Sequence, residues 1–217
     1  MQTIGLLGGT FDPIHFGHLR MAQELAESLS LSTVKFIPSA NPPHKRSPQV
    51  SAEHRAAIVQ LAIADNPQFQ FDGRELNRSG ASYTIDTLES LRSELENDAS
   101  LILIMGSDAF TKFNTWHRWQ EIIKLCHIAL VQRPASTKQD VLTKELETFL
   151  HNHYTEHADD LHNISAGLVT MQAITPLDIS STAIRQSLQL KRSVRYLIPE
   201  SVLNYITAKQ LYSAASA

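Results

Sequence analysis

The sequence predicts an α/β fold, a doubly wound and mostly parallel sheet with helices on both faces and further helices at the C-terminal end. Short apolar runs alternate with stretches of helical periodicity along the chain. Glycine or proline follows most of the apolar runs, as expected where strands leave a sheet and enter loops. No internal repeat or low-complexity tract interrupts the pattern.

The first run, Met1 to Leu7, reads as a strand that ends in a Gly8-Gly9 turn. Leu19, Ala22, Leu25, Ala26 and Leu29 then recur at helical spacing. Val34 to Ile37 reads as a second strand stopped by Pro38, and residues 39–49 form a loop with Pro42, Pro43 and Pro48. Ala56, Ile58, Val59, Leu61 and Ala62 mark a helix, and Ile85, Leu88, Leu91 and Leu95 mark the next. Leu101 to Met105 and His127 to Val131 are further buried strands. The polar stretch 139–163 reads as a helix plus a solvated loop, and helices are expected over 180–189 and 199–208. This alternation is Rossmann-like. It places the loops after the strands on one rim, where such sheets bind ligands.

Composition narrows the function. The 217 residues are 42% hydrophobic and 19% charged, enough chain to bury a substantial core. A net charge of −3 argues against a general nucleic-acid binder. No apolar run is long enough to span a bilayer, and no basic segment precedes Arg20 as a secretory leader would require. Cys126 is the single cysteine, which fits a reducing cytoplasm.

The loop Gly8-Gly9-Thr10-Phe11-Asp12-Pro13-Ile14-His15-Phe16-Gly17-His18 carries the most specific chemistry. Adjacent glycines admit an anion to backbone N–H groups, and the following helix N-terminus favours negative charge. The glycine spacing matches neither a P-loop nor a dinucleotide fingerprint. His15 and His18, three apart, are expected to share a helix face and direct both imidazoles at one phosphate. Far along the chain, Ser180-Ser181-Thr182-Ala183-Ile184-Arg185 opens another helix. Ser180 is a candidate N-cap. Ser181, Thr182 and Arg185 either complete ordinary capping or seat a phosphate on one face.

Residues 8–19, G-G-T-F-D-P-I-H-F-G-H-L, resemble the signature of the HxGH nucleotidyltransferases. The S-S-T-A-I-R segment is similar to the same superfamily's triphosphate-binding segment. Three more segments resemble bacterial nicotinate-nucleotide adenylyltransferases: Asn41-Pro42-Pro43-His44-Lys45, Ala81-Ser82-Tyr83-Thr84 with Thr87-Leu88, and Thr115-Trp116 beyond Gly106-Ser107-Asp108. Ala81, Ser107 and His117 depart from the usual residues at their positions.

The resemblance implies one nucleotidyltransferase domain over 1–217, with ATP and nicotinate mononucleotide as partners and Mg²⁺ held mainly by the ATP phosphates. His15 and His18 are then catalytic, and no protein metal site is expected. Gly8, Gly9, Thr10, Phe11, Lys45, Ser180, Ser181, Thr182 and Arg185 are the ATP and phosphate candidates. Ser82, Tyr83, Thr84, Gly106, Asp108, Trp116, His117 and Arg133 are the acceptor candidates. Physical readings stand beside these roles. The helix start at Thr84 favours a carboxylate, and Trp116 is either a core aromatic or a face for a pyridinium ring. Asp108 is either a helix cap or a ribose ligand, and Lys45 and Arg133 are either solvated cations or phosphate ligands.

Alternatives are a transferase acting on another acceptor, such as phosphopantetheine, and a nucleotide-binding regulator without turnover. A homodimer stays open beside a monomer; neither nucleic acid nor membrane is expected as a partner. The polar cluster His151, His153, His157 and His162 lacks the apolar shell of a structural zinc site. Cys126 reads as a small buried apolar residue.

Overall fold

The computed structural model describes residues 1–42, 48–95, 98–132 and 142–213. Among these residues six strands form one sheet: β1 (Gln2–Gly9), β2 (Thr33–Pro38), β3 (Phe69–Phe71), β4 (Ala99–Gly106), β5 (His127–Gln132) and β6 (Val169–Ala173). Their order is β3-β2-β1-β4-β5-β6, and every pairing is parallel. The chain runs outward one way from β1 to β3 and the other way from β4 to β6. The crevice between the carboxyl ends of β1 and β4 is therefore the switch point at which such sheets receive ligands.

Among the described residues eight helices cover the faces: α1 (Phe16–Ser28), α2 (Ala52–Ile63), α3 (Thr84–Leu95), α4 (Ser107–Phe110), α5 (Trp119–Leu125), α6 (Lys144–His153), α7 (Ser181–Gln189) and α8 (Glu200–Ala208). Side chains alternate across the sheet. Ile102 and Ile104 of β4 join one apolar cluster with Leu25, Ile58, Ile184 and Val202 from α1, α2, α7 and α8. Leu101, Leu103 and Met105 join the other, with Leu88, Ile122 and Phe149 from α3, α5 and α6. A central strand buried on both faces reads as a continuous apolar run, and Leu101 to Met105 does.

Several sequence expectations are corrected. β1 does not end at Leu7: it continues through Gly8 and Gly9, which pair with Ile37 and Pro38, because β2 offers a ladder that outweighs weak strand propensity. β3 and β6 went unread. Three residues are too few for a period, and β6 is an edge strand with polar residues interleaved. In α2, Leu61 is 37% exposed, and Arg55 occupies the buried face instead. No helix among the described residues is long and apolar enough to cross a membrane.

His127, at the start of β5, is fully buried between two backbone groups. Its Nδ1 accepts from the Leu168 amide at 3.1 Å, and its Nε2 faces the Ile164 carbonyl at 3.0 Å. One acceptor and one donor fit the neutral ring with its proton on Nε2. Burial lowers its pKa below the ordinary histidine value. The unfolded chain therefore binds this proton at a higher pH than the folded one. The contribution of His127 to stability is intact above pH ~6.5 and is lost as the pH falls toward the folded value. Urea denaturation at constant ionic strength, with the His127 ring followed by NMR, is expected to show stability declining below pH ~6.5 while the ring stays neutral in the native state.

Candidate functional site

The β1–α1 loop is held from several sides. Phe11 takes a left-handed backbone (φ 48°) and buries its ring, leaving 2% exposed. The ring packs edge-to-face with His18, centroids 5.3 Å apart, and tilts against Phe36 at 6.0 Å. Asp12 is also buried. Its Oδ2 accepts from the Gln49 amide at 3.0 Å and its Oδ1 from the Tyr212 hydroxyl at 2.8 Å. Burial, with Asp12 alongside, raises the Tyr212 phenol far above its usual pKa, so it stays a donor.

His15 is not in the helix, as the i, i+3 argument assumed. It is the extended N-cap of α1, and its backbone N–H donates to His18 Nδ1 at 3.3 Å. The two imidazoles nevertheless stack, with centroids 3.8 Å apart and planes 30° from parallel. The residue between them must be small: a Cβ on Gly17 would lie 3.0 Å from Cε1 and Nδ1 of His15. His15 is buried and His18 half-buried.

The N-terminus of α7 docks on this same loop. Ser180 caps the helix, accepting from the Ala183 amide at 3.2 Å. Ser181 Oγ donates to the Pro13 carbonyl at 2.9 Å, and Arg185 Nη1 donates to the Asp12 carbonyl at 2.7 Å. Arg185 Nη2 reaches Thr182 Oγ1 at 3.3 Å, and the Asp12 carboxylate lies 3.8 Å from the guanidinium. Arg185 Nε and Thr10 Oγ1 are buried without a hydrogen-bond partner among the described residues. The glycine–histidine loop and the distant serine–arginine segment thus share one end of the crevice.

Arg55, 1% exposed, links this end to the rest of the rim. It donates to the Thr10, Ser39 and Ala40 carbonyls at 2.8, 2.6 and 3.1 Å, and burial lowers its pKa. The loop after β2 is fastened in turn to the segment before α3. Ser82 Oγ accepts from the Ala40 and Asn41 amides at 3.0 and 3.1 Å, and the Ser82 amide donates to the Asn41 carbonyl. Tyr83 follows, its ring 4.5 Å from His117, and Thr84 is the first residue of α3. Trp116 lies between its two readings: its ring meets Phe113 edge-on at 5.6 Å, and it remains partly open. Gly106 caps α4, and a Cβ there would meet Asp108 Oδ1 at 2.7 Å, so the exposed Asp108 carboxylate folds back over the end of β4.

Lys45 and Arg133, with residues 43–47 and 133–141, lie outside the described residues. Sequence reasoning gave no role to Arg55, Asp12, Tyr212 or Glu75. Arg55 carried a signal, an arginine on the same helical face as Ile58 and Val59; Tyr212 carried none. His153 Nδ1 pairs with the Gly167 carbonyl and His162 Nδ1 with the Thr3 hydroxyl. Among the described residues no three His, Cys, Asp or Glu side chains gather as a metal site. Cys126 is wholly buried, its Sγ donating to the Ile122 carbonyl, and burial pushes the thiol up to about 12.

Residues 6–187 match the model of the cytidylyltransferase-like family. The chain is 47% identical over 202 residues to the probable nicotinate-nucleotide adenylyltransferase of Halorhodospira halophila, covering 93% of this chain and 91% of the relative. It is 45% identical over 213 residues to the protein of the same description from Pseudomonas aeruginosa, covering 98% of each. In fold it is similar to Plasmodium falciparum nicotinic acid mononucleotide adenylyltransferase complexed with NaAD. That likeness has a TM-score of 0.72, 16% identity and 98% coverage of both chains. Identity of this depth over nearly the whole length, on a sheet whose switch point carries the glycine–histidine loop, makes the chain a member of the cytidylyltransferase-like family and, within it, of the bacterial nicotinate-nucleotide adenylyltransferases.

Proposed function

We propose that this protein, as one catalytic domain in the cytoplasm, joins ATP to nicotinate mononucleotide, giving nicotinate adenine dinucleotide and pyrophosphate. A phosphate oxygen of the mononucleotide attacks the ATP α-phosphorus in line. The bond from that phosphorus to the bridging oxygen breaks, and pyrophosphate leaves with the electron pair. The nucleophile is already an anion, so no general base is required. The barrier lies in bringing two polyanions together and in carrying charge on the departing oxygens.

The observation that carries this reading is the shared position of the His15–His18 stack and the α7 tip, tied by Ser181 to Pro13 and by Arg185 to Asp12. In it, His15 and His18 donate to the reacting phosphates. Gly8, Gly9, Thr10 and Phe11 form the seat of the nucleotide, and Ser180, Ser181, Thr182 and Arg185 receive the β- and γ-phosphates with Lys45. The acceptor lies toward Ser82, Tyr83, Thr84, Trp116 and His117, with Gly106, Asp108 and Arg133 at its ribose and phosphate. The α3 N-terminus favours the acid over the amide on the pyridine ring.

The carboxylate in the loop, Asp12, is engaged by Gln49 and Tyr212, and the neighbouring groups are donors. Such a set fits Mg²⁺ that arrives coordinated by triphosphate and water. When bound it neutralises phosphate charge. Pyrophosphate release with ATP and Mg²⁺ is expected with nicotinate mononucleotide, with kcat/KM about two- to fivefold above that for the nicotinamide form. Phosphopantetheine is expected to give none. Equal or greater turnover of phosphopantetheine, or no release with any acceptor, overturns the reading.

A further inference from the structure

Glu75 is a carboxyl that neither the reaction nor the sequence motifs account for. It is 7% exposed and lies under the segment that enters α3. Its Oε1 accepts from the Thr87 hydroxyl at 2.7 Å, and the Ser82 hydroxyl is near enough to help lower the carboxyl's pKa. Its Oε2 is buried without a partner among the described residues. Thr87 belongs to the first turn of α3, and Ser82 stands just before it. Glu75 therefore adjoins both sides of Tyr83-Thr84.

The contact extends further. The Ser82 oxygen beside Glu75 accepts from the Ala40 and Asn41 amides. The buried carboxyl thus stands where the loop after β2 meets the start of α3. We propose that Glu75 is the positioning residue of the acceptor end of the site, holding the Ser82–Thr84 turn in the geometry that receives the pyridine ring. This rests on the adenylyltransferase reading given above.

Chemistry explains why a carboxyl serves here. The Thr87 hydroxyl donates to it and the Ser82 hydroxyl lies beside it, and a side chain without an oxygen acceptor meets neither in the same way. Burial raises its pKa above the usual carboxylate value, with Asp72 adding to the rise and Arg78 opposing it. Glutamine at 75 keeps an acceptor oxygen and the shape, whereas alanine keeps neither.

Steady-state kinetics of the full chain test this. In Glu75→Ala, KM for nicotinate mononucleotide is expected to rise about tenfold or more while KM for ATP stays within twofold. Glu75→Gln is expected to return the acceptor KM to within about threefold of the unaltered protein. If Glu75→Ala fails to fold, Thr87→Val, which removes only one donor, is expected to raise the same constant selectively. A merely structural role would lower the active fraction and leave both KM values unchanged, and that result overturns the proposal. So does an equal rise in both constants. Absence of turnover in the unaltered protein instead overturns the adenylyltransferase reading itself.

Discussion

His18→Ala is expected to lower kcat by about 10²–10³, the usual cost of deleting one preorganised donor at a charge-building centre. The His15 amide donates to His18 Nδ1, which leaves the proton of the neutral ring on Nε2. His18 is half-buried, so little apolar packing is lost with it. The same change deletes the acceptor of the α1 cap, a loss of about 0.5–2 kcal/mol of stability. His18→Asn separates the two effects. Its side-chain oxygen can accept from the His15 amide and restore the cap, but it places no donor where Nε2 stood. Stability near that of the unaltered protein with turnover still depressed is the expected outcome, measured by urea denaturation and pyrophosphate release. Turnover within threefold of the unaltered protein in either variant would remove His18 from the chemistry.

Arg55→Met is expected to destabilise the fold by about 3–5 kcal/mol, the scale seen when one partner of a buried charged network is removed. Methionine fills most of the volume, so the loss falls on hydrogen bonds and not on packing. Three carbonyls, of Thr10, Ser39 and Ala40, lose their donor together. A buried acceptor left without a partner costs about 1–3 kcal/mol. Two of these carbonyls belong to the loop after β2 and one to the loop after β1, so the variant also separates the rim segments and impairs turnover at temperatures where it remains folded. Arg55→Lys should recover only part of the loss, because an ammonium cannot span three carbonyls as a planar fork does. Urea denaturation reads the difference; a loss under 1 kcal/mol would show that the carbonyls find other donors.

What the sequence made legible follows from how each signal is encoded. Central strands announce themselves because burial on both faces leaves nothing but apolar residues, as in Leu101 to Met105. Edge strands do not, since β6 mixes Thr170 and Gln172 among its apolar residues and β3 has three residues. The glycine–histidine loop and the serine–arginine segment were readable because their spacings are local patterns. The supports were not. Arg55 and Tyr212 act through contacts 45 and 200 residues away in sequence, and no local spacing records such a pairing. Even His15 shows the limit: the pattern fixed the proximity of two rings, yet the backbone achieved it through an N-cap and not through a shared helical face.

Tyr212 carries a consequence for biosynthesis. Its hydroxyl completes the hydrogen bonding of Asp12, whose backbone carbonyl also receives Arg185. During translation the first loop emerges with the opening residues, but its last bond forms only once residue 212 has left the ribosome. A prematurely terminated chain therefore carries every imidazole of the motif and still lacks the brace that keeps Asp12 in place.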